Sequence, residues 1–158
     1  MKIHKLSDVK TKKIGKGTII WQYCVIMKEV KIGKDCNICS HSFLENDIEI
    51  GDRVTIKNGS KLFSSMKIED DVFIGANVTF TNDLYPRSIR VKDKKILKFP
   101  KTIIYKGASI GGGSTILPGI KIGEKAIIGA GSIVTKDIKA GSITYGEQAK
   151  HRRNIKNK

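Results

Sequence analysis

Histidine, cysteine and aromatic residues are scarce: the 158 residues include three His, three Cys, one Trp, four Tyr and five Phe. His4 and His151 lie toward the two ends, so only His41 stands well inside the chain, which excludes a zinc site built on three histidines. Three cysteines make no disulfide framework. Cys36 and Cys39 have the spacing of a redox or metal pair, but the second pair that a metal site needs is missing, and no metal is expected. No apolar run approaches the length of a membrane span, and Met1 to Lys13 carries charges throughout where a secretory leader needs an apolar stretch. A cytoplasmic protein with no membrane partner is expected. Acidic residues are few as well, fifteen against thirty Lys and Arg, for a formal charge of +15. The lysines are spread over successive segments with little aromatic interleaving, and only Lys150 to Lys158 is a concentrated basic block, so no nucleic-acid partner is expected. A field of this sign also attracts anionic small molecules such as coenzyme A and sugar nucleotides, and charge alone does not choose among partners.

The abundant feature is a period of six. An aliphatic or aromatic residue recurs at Ile14, Ile20, Ile26, Ile32, Ile38, Leu44, Ile50, Ile56, Leu62, Ile68, Ile74 and Phe80, and again from Ile104 to Val134. Neither a helix nor an alternating strand has that spacing, so the repeat itself is the fold. A mostly small residue stands four after each anchor (Thr18, Cys24, Cys36, Ser42, Ser60, Ala108, Ser114, Ala126, Ser132). Because alternate side chains of a strand share a face, an anchor and the residue two before it both point inward. Each hexad is one short strand and one corner, with glycine often following the anchor.

After Phe80 the rhythm stops, since Pro86, Lys92 and Lys98 would fall where a dry core needs apolar residues. Residues 81–103 are therefore expected to leave the repeat as one long loop, and a loop of that length is more often functional than idle. The coils are expected over 14–80 and 104–139. Met1 to Lys13 is expected to be an irregular cap in which Leu6 and Val9 cover the open end, and 140–158 a C-terminal cap with a mobile basic tail. The whole is one domain.

The repeat resembles that of the left-handed parallel β-helix, in which three hexads make one coil, and that resemblance implies columns of residues eighteen apart, which locate a candidate site. Gly112 and Gly113 lie under Ala130 and Gly131, and Ala76, Asn77, Asn58, Gly59, Ser40 and His41 continue the column downward. Such a strip of small residues suits a thin, flexible chain that hydrogen-bonds corner amides. Asn46 and Asn82 share another column, where Glu45, Asn46 and the loop bring polar groups onto one face.

The large aliphatic, the frequent glycine and the small residue four on resemble the hexapeptide repeat of the left-handed parallel β-helix, an all-β fold in which three hexads make one triangular coil. Thr81-Asn82-Asp83-Leu84-Tyr85-Pro86-Arg87-Ser88 and Asn37 to Asn46, with Gly107 to Gly111 and Ile128 to Lys136, are similar to bacterial N-acetyltransferases acting on dTDP-linked 3-amino-3,6-dideoxyhexoses. UDP-linked relatives are less similar. The resemblance implies a homotrimer with sites between subunits, acetyl-coenzyme A along the axis, and a role in surface-glycan sugar synthesis. It implies that Glu45, Asn46, Tyr85 and Arg87 contact the sugar nucleotide, and that Gly111, Gly112, Gly113, Ala130, Lys136 and Arg152 line or flank the coenzyme site. Lys61-Leu62-Phe63-Ser64-Ser65 departs from the Trp-Asp-Gly of relatives, and Gly146 lacks the proline that usually follows.

For amine attack on a thioester, Asn82 or a backbone amide is expected to stabilise the oxyanion, His41 to act as base, and Asp83 to accept hydrogen bonds from the amine. The rival reading is O-acetylation of a sugar, for which a base is indispensable. A structural or ice-binding prism is excluded by the irregular, lysine-laden outward positions.

Overall fold

The computed structural model describes residues 1–86, 99–147 and 150–154. Its strands are mostly two or three residues long and stack in parallel into three sheets, the three faces of a parallel β-helix. The first face runs from Lys2–Ile3 through Ile19–Ile20, Asn37–Ile38, Thr55–Ile56, Phe73–Ile74, Ser109–Ile110 and Ile127–Ile128 to Ser142–Tyr145. The second runs from Asp8–Val9 through Val25–Ile26, Phe43–Leu44, Lys61–Leu62, Thr79–Phe80 and Thr115–Ile116 to Ile133–Val134. Lys31–Ile32, Ile48–Ile50, Met66–Ile68, Thr102–Ile104 and Lys121–Ile122 form the third.

The anchors from Ile20 to Phe80 and from Ile104 to Val134 are buried and form one continuous core with the small residues two positions before them. Several of those small residues are hydroxylic, and each hydroxyl donates to a corner carbonyl. Ser60 Oγ reaches Gly75 O (2.8 Å), Ser114 Oγ reaches Gly111 O (2.7 Å), and Ser132 Oγ reaches Gly129 O (2.7 Å). A buried hydroxyl satisfied in this way fills the narrow apex and ties a carbonyl of its own corner or of the corner above. Cys24 and Cys36 occupy equivalent apices, where burial is the main cause pushing both thiols above their ordinary range. A thiolate-selective reagent at neutral pH is therefore expected to leave both unmodified until the protein is denatured, as peptide mass mapping would show.

Both ends depart from the sequence expectation. Residues 2–3 and 8–9 are not an irregular cap but the first rungs of two faces, with Ile3 opposite Ile20 and Val9 opposite Ile26. That offset is seventeen, one short of the repeat, so the hexad phase does not show it. Val9 packs against the core, whereas Leu6 is exposed. At the other end Ile143 pairs with Ile127 at an offset of sixteen, and Lys150–Asn154 turns back antiparallel on Ser142–Tyr145, so part of the expected tail is a closing hairpin. Thr144 Oγ1 within it is buried without a partner among the described residues.

The excursion ends sooner than the expected 81–103, because Thr102 already pairs with Met66 and Ile104 with Ile68. Those pairs are thirty-six apart, as are Phe73 with Ser109 and Thr79 with Thr115, so the excursion consumes one coil's worth of chain and leaves the phase intact.

Charge is distributed unevenly over the faces. Outward positions of the third face include Lys31, Glu49, Lys67 and Lys121, with Lys31 Nζ 2.7 Å from Glu49 Oε1. The other two faces direct outward mainly Val25, Phe43, Thr79, Thr115 and Ile133, or Asn37, Thr55, Phe73, Ser109 and Ile127. Among the described residues no helix is long and apolar enough to cross a membrane, and no group of three His, Cys, Asp or Glu could hold a metal ion.

Candidate functional site

Two edges of the prism carry the residues that the sequence singles out. The edge between the first and second faces is built from successive corners joined by backbone bonds. The N–H of Gly59 donates to Ser40 O (3.0 Å), that of Asn77 to Asn58 O (2.8 Å), that of Gly113 to Ala76 O (2.8 Å), and that of Gly131 to Gly112 O (2.9 Å). One residue of each corner has positive φ: Tyr23, His41, Gly59, Asn77, Gly113 and Gly131. At Gly113 and Gly131 nothing stands within 4 Å of where a Cβ would lie, whereas a Cβ on Gly111 would meet the Ala130 backbone. Glycine at 113 and 131 therefore serves the backbone conformation and also leaves an open groove along the upper coils. Gly111 and Gly112 instead back onto the Ala130 and Ala76 backbone, and His41 stands on the same edge three coils below Gly113.

The edge between the second and third faces carries the polar cluster. Glu45 Oε2 accepts from the Ser64 N–H (2.8 Å) and from Asn82 Nδ2 (3.4 Å), while Asn82 Nδ2 also donates to Ser64 Oγ (2.9 Å). A carboxylate only accepts, so the amide nitrogen of Asn82 must face Glu45. Both N–H groups of that amide are thereby engaged, and Oδ1 has no partner among the described residues. Asn82 borders a pocket of about 190 Å³ with Phe63, Thr81, Asp83 and Pro86. It presents an acceptor rather than the oxyanion donor expected from sequence. Ser64 escaped the sequence reading although it lies midway in the Asn46–Asn82 column, eighteen residues from each, and that arithmetic would have found it.

Other expected residues are placed differently. Asn46 Oδ1 accepts from the Glu29 N–H of the coil below (3.1 Å), which ties it away from the Asn82 cluster. Asp83 Oδ1 accepts from the Tyr85 N–H (2.8 Å), so half of that carboxylate shapes the start of the loop, and Tyr85 itself is 78% exposed. Lys136 is exposed and falls in the Asn82 column, on the opposite edge of the second face from the glycine groove. Arg87 lies outside the described residues. Arg152 lies in the closing strand Lys150–Asn154.

His41 and Asn82 are not brought together within one chain. They stand at opposite sides of the second face, about 16 Å apart across its width at 3.3 Å per residue, and at different coil heights. A concavity of about 500 Å³ lies elsewhere again, on the third face among Lys31, Glu49, Lys67, Glu69, Asp70 and Lys106. Four of its charges pair internally, Lys31 with Glu49 and Lys67 with Glu69 (3.1 Å), and it includes neither His41 nor Asn82.

Comparison with known proteins adds the following. The profile of the bacterial transferase hexapeptide (six repeats) matches residues 11–46 and 101–136, and that of the hexapeptide repeat of succinyl-transferase matches 66–91. A dTDP-3-amino-3,6-dideoxy-alpha-D-galactopyranose 3-N-acetyltransferase from Aneurinibacillus thermoaerophilus is 52% identical over 52 residues, 33% of this chain and 27% of that protein. The galactoside O-acetyltransferase of Lactococcus lactis is 33% identical over 88 residues, 56% of this chain and 42% of that protein. This chain thus spans less than half the length of either relative. Among solved structures, a putative acetyltransferase from Bacillus cereus superposes with a TM-score of 0.63 at 26% identity, over 98% of this chain and 78% of that one.

Proposed function

The chain belongs to the hexapeptide-repeat transferases, and from that premise we propose that it is an acetyl-coenzyme A-dependent N-acetyltransferase acting on the 3-amino group of a dTDP-linked 3-amino-3,6-dideoxyhexose. The observation that carries the amine acceptor is the orientation of Asn82. With its nitrogen turned to Glu45 and Ser64, its carbonyl can hold an acceptor N–H, and an amine has N–H groups to spare. The 52% identical segment of the Aneurinibacillus enzyme supports the sugar class.

In the proposed step the neutral amine attacks the thioester carbonyl. A C–N bond forms, the C–S bond breaks, thiolate leaves, and the nitrogen sheds one proton. Asn82 Oδ1 orients the attacking nitrogen, and a corner N–H of the groove edge meets the developing oxyanion. His41 stands on that edge to take the proton. Because the groove edge and the Asn82 edge of one chain are a face apart, the site is complete only when a second copy sets its loop-bearing edge against the groove. The sparsely charged first and second faces suit such packing in a homotrimer, and the product would enter surface-glycan synthesis in the cytoplasm.

The galactoside O-acetyltransferase match favours a second reading, transfer to a sugar hydroxyl. Offering acetyl-coenzyme A with dTDP- and UDP-amino sugars and with plain galactosides, and following mass gain, separates the two. Acetylation of the dTDP-amino sugar alone is expected, and acetylation of galactosides alone would overturn the proposal.

The groove assignment has its own test. A Gly131→Val side chain would project into the open space at φ +67, at a conformational cost of about 1–2 kcal/mol. Folding should survive, while coenzyme A affinity measured by calorimetry should fall roughly tenfold or more, the size of one blocked contact region.

A further inference from the structure

The pocket beside Asn82 combines hydrogen-bond acceptors with an aromatic wall. Leu62 pairs with Phe80, so Phe63 stands directly beneath Thr81, and Ser64 beneath Asn82, in two successive corners of the same edge. Phe63 is half-buried, and its ring rests on that of Phe43, centroids 5.8 Å apart at 58°. A second ring thus backs the wall.

The polar members of the pocket each have a definite state. Thr81 Oγ1 donates to Ile116 O (3.1 Å), which engages its hydroxyl proton, and Asp83 Oδ1 accepts from the Tyr85 N–H (2.8 Å). Glu45 and Ser64, which hold Asn82 Nδ2, are not among the residues that line the pocket, so Oδ1 is the part of the amide left to face it. Among Phe63, Thr81, Asn82, Asp83 and Pro86 there is then no uncommitted side-chain donor. At about 190 Å³ the pocket is smaller than the roughly 300–1,000 Å³ that enclose whole ligands, so it suits one sugar ring rather than an entire nucleotide.

A 3-amino-3,6-dideoxyhexose carries one apolar substituent, the C6 methyl, attached two ring atoms away from the carbon that bears the amine. With the amine on Asn82 Oδ1, the neighbouring hydroxyls can donate to Asp83. The methyl cannot satisfy an acceptor, and setting it against one would bury that acceptor unpaired, so the ring of Phe63 is the surface that fits it. We propose that Phe63 is the specificity-determining residue that selects a 6-deoxy sugar, by packing on the C6 methyl while Asn82 holds the amine. A 6-hydroxyl would be pressed against the ring and away from the acceptors. The proposal rests on the amino-sugar reading above and names the side chain that reads carbon 6.

The test pairs two substrates that differ by one oxygen: a dTDP-linked 3-amino-3,6-dideoxyhexose and its 6-hydroxy counterpart of the same configuration, each offered with acetyl-coenzyme A. The unaltered enzyme is expected to favour the 6-deoxy sugar in kcat/KM by up to about a hundredfold, the discrimination that an apolar pocket achieves against an added hydroxyl. Phe63→Leu, which keeps an apolar side chain, should retain most of that ratio, and Phe63→Gln should bring it to near equality. Incomplete folding of a variant lowers both values together and leaves the ratio alone. Where turnover is too slow to follow, the ratio of the two sugars' dissociation constants, by calorimetry, reads the same preference.

Equal kcat/KM for the two sugars in the unaltered enzyme, or a ratio unmoved by Phe63→Gln, would overturn the assignment and leave amino-sugar acetylation standing. Acetylation of neither sugar would sink the amino-sugar reading, and this assignment with it.

Discussion

Asn82→Ala is expected to lower turnover about a hundredfold, with a much smaller change in the Michaelis constant for the sugar nucleotide, because it removes the acceptor that orients the attacking amine. The companion substitution separates orientation from mere polarity. Asn82→Asp would set a carboxylate oxygen where Nδ2 now stands, 3.4 Å from Glu45 Oε2. Two carboxylates that close repel each other, which raises one pKa above the ordinary carboxylate range. At neutral pH this variant should therefore be as impaired as Ala, and it should recover relative to the unaltered enzyme at the same lower pH, where one shared proton bridges the pair. Steady-state kinetics on both variants would check this, and wild-type turnover in Asn82→Ala would remove the residue from the reaction.

Phe80→Ala should have the largest effect on stability. Phe80 is fully buried, stacks between Leu62 and Ile116 in the second face, and is the last core residue before the excursion. Truncating a buried phenylalanine removes its transfer free energy and leaves a cavity, together about 3–5 kcal/mol. In a solenoid each coil leans only on its neighbours, so the loss should appear as early unfolding around the excursion before the rest melts. Hydrogen exchange should therefore rise first near 62–80 and 102–116. A midpoint in denaturant equal to that of the unaltered protein would contradict the packing described here.

The two ends and the polar cluster mark how far sequence reasoning reached. The hexad anchors were legible because burial in a narrow prism admits one large side chain per strand, so the period is written directly in residue type. The terminal rungs were hidden by offsets of seventeen and sixteen, since backbone pairing tolerates a shortened corner that a fixed count does not. Asn46 and Asn82 were marked by their shared column, with Glu45 beside them on the same face, but the direction of the Asn82 amide was not. An asparagine offers both a donor and an acceptor, and only the carboxylate opposite it decides which one remains free. Asn46 shows the converse, a side chain in the right column whose oxygen is taken by the coil below.

Residue order by itself determined the six-residue repeat, the small residue four after each anchor and the location of the long excursion, because each follows from local spacing, whereas three hexads to a coil entered with the resemblance to the hexapeptide-repeat fold. Only the folded chain decided that Asn82 turns its carbonyl outward, that Asn46 is tied to the coil below, and that residues 2–3 and 8–9 extend two of the faces. Those outcomes depend on contacts between residues many positions apart, where distance and hydrogen-bond direction, rather than residue type, set the chemistry.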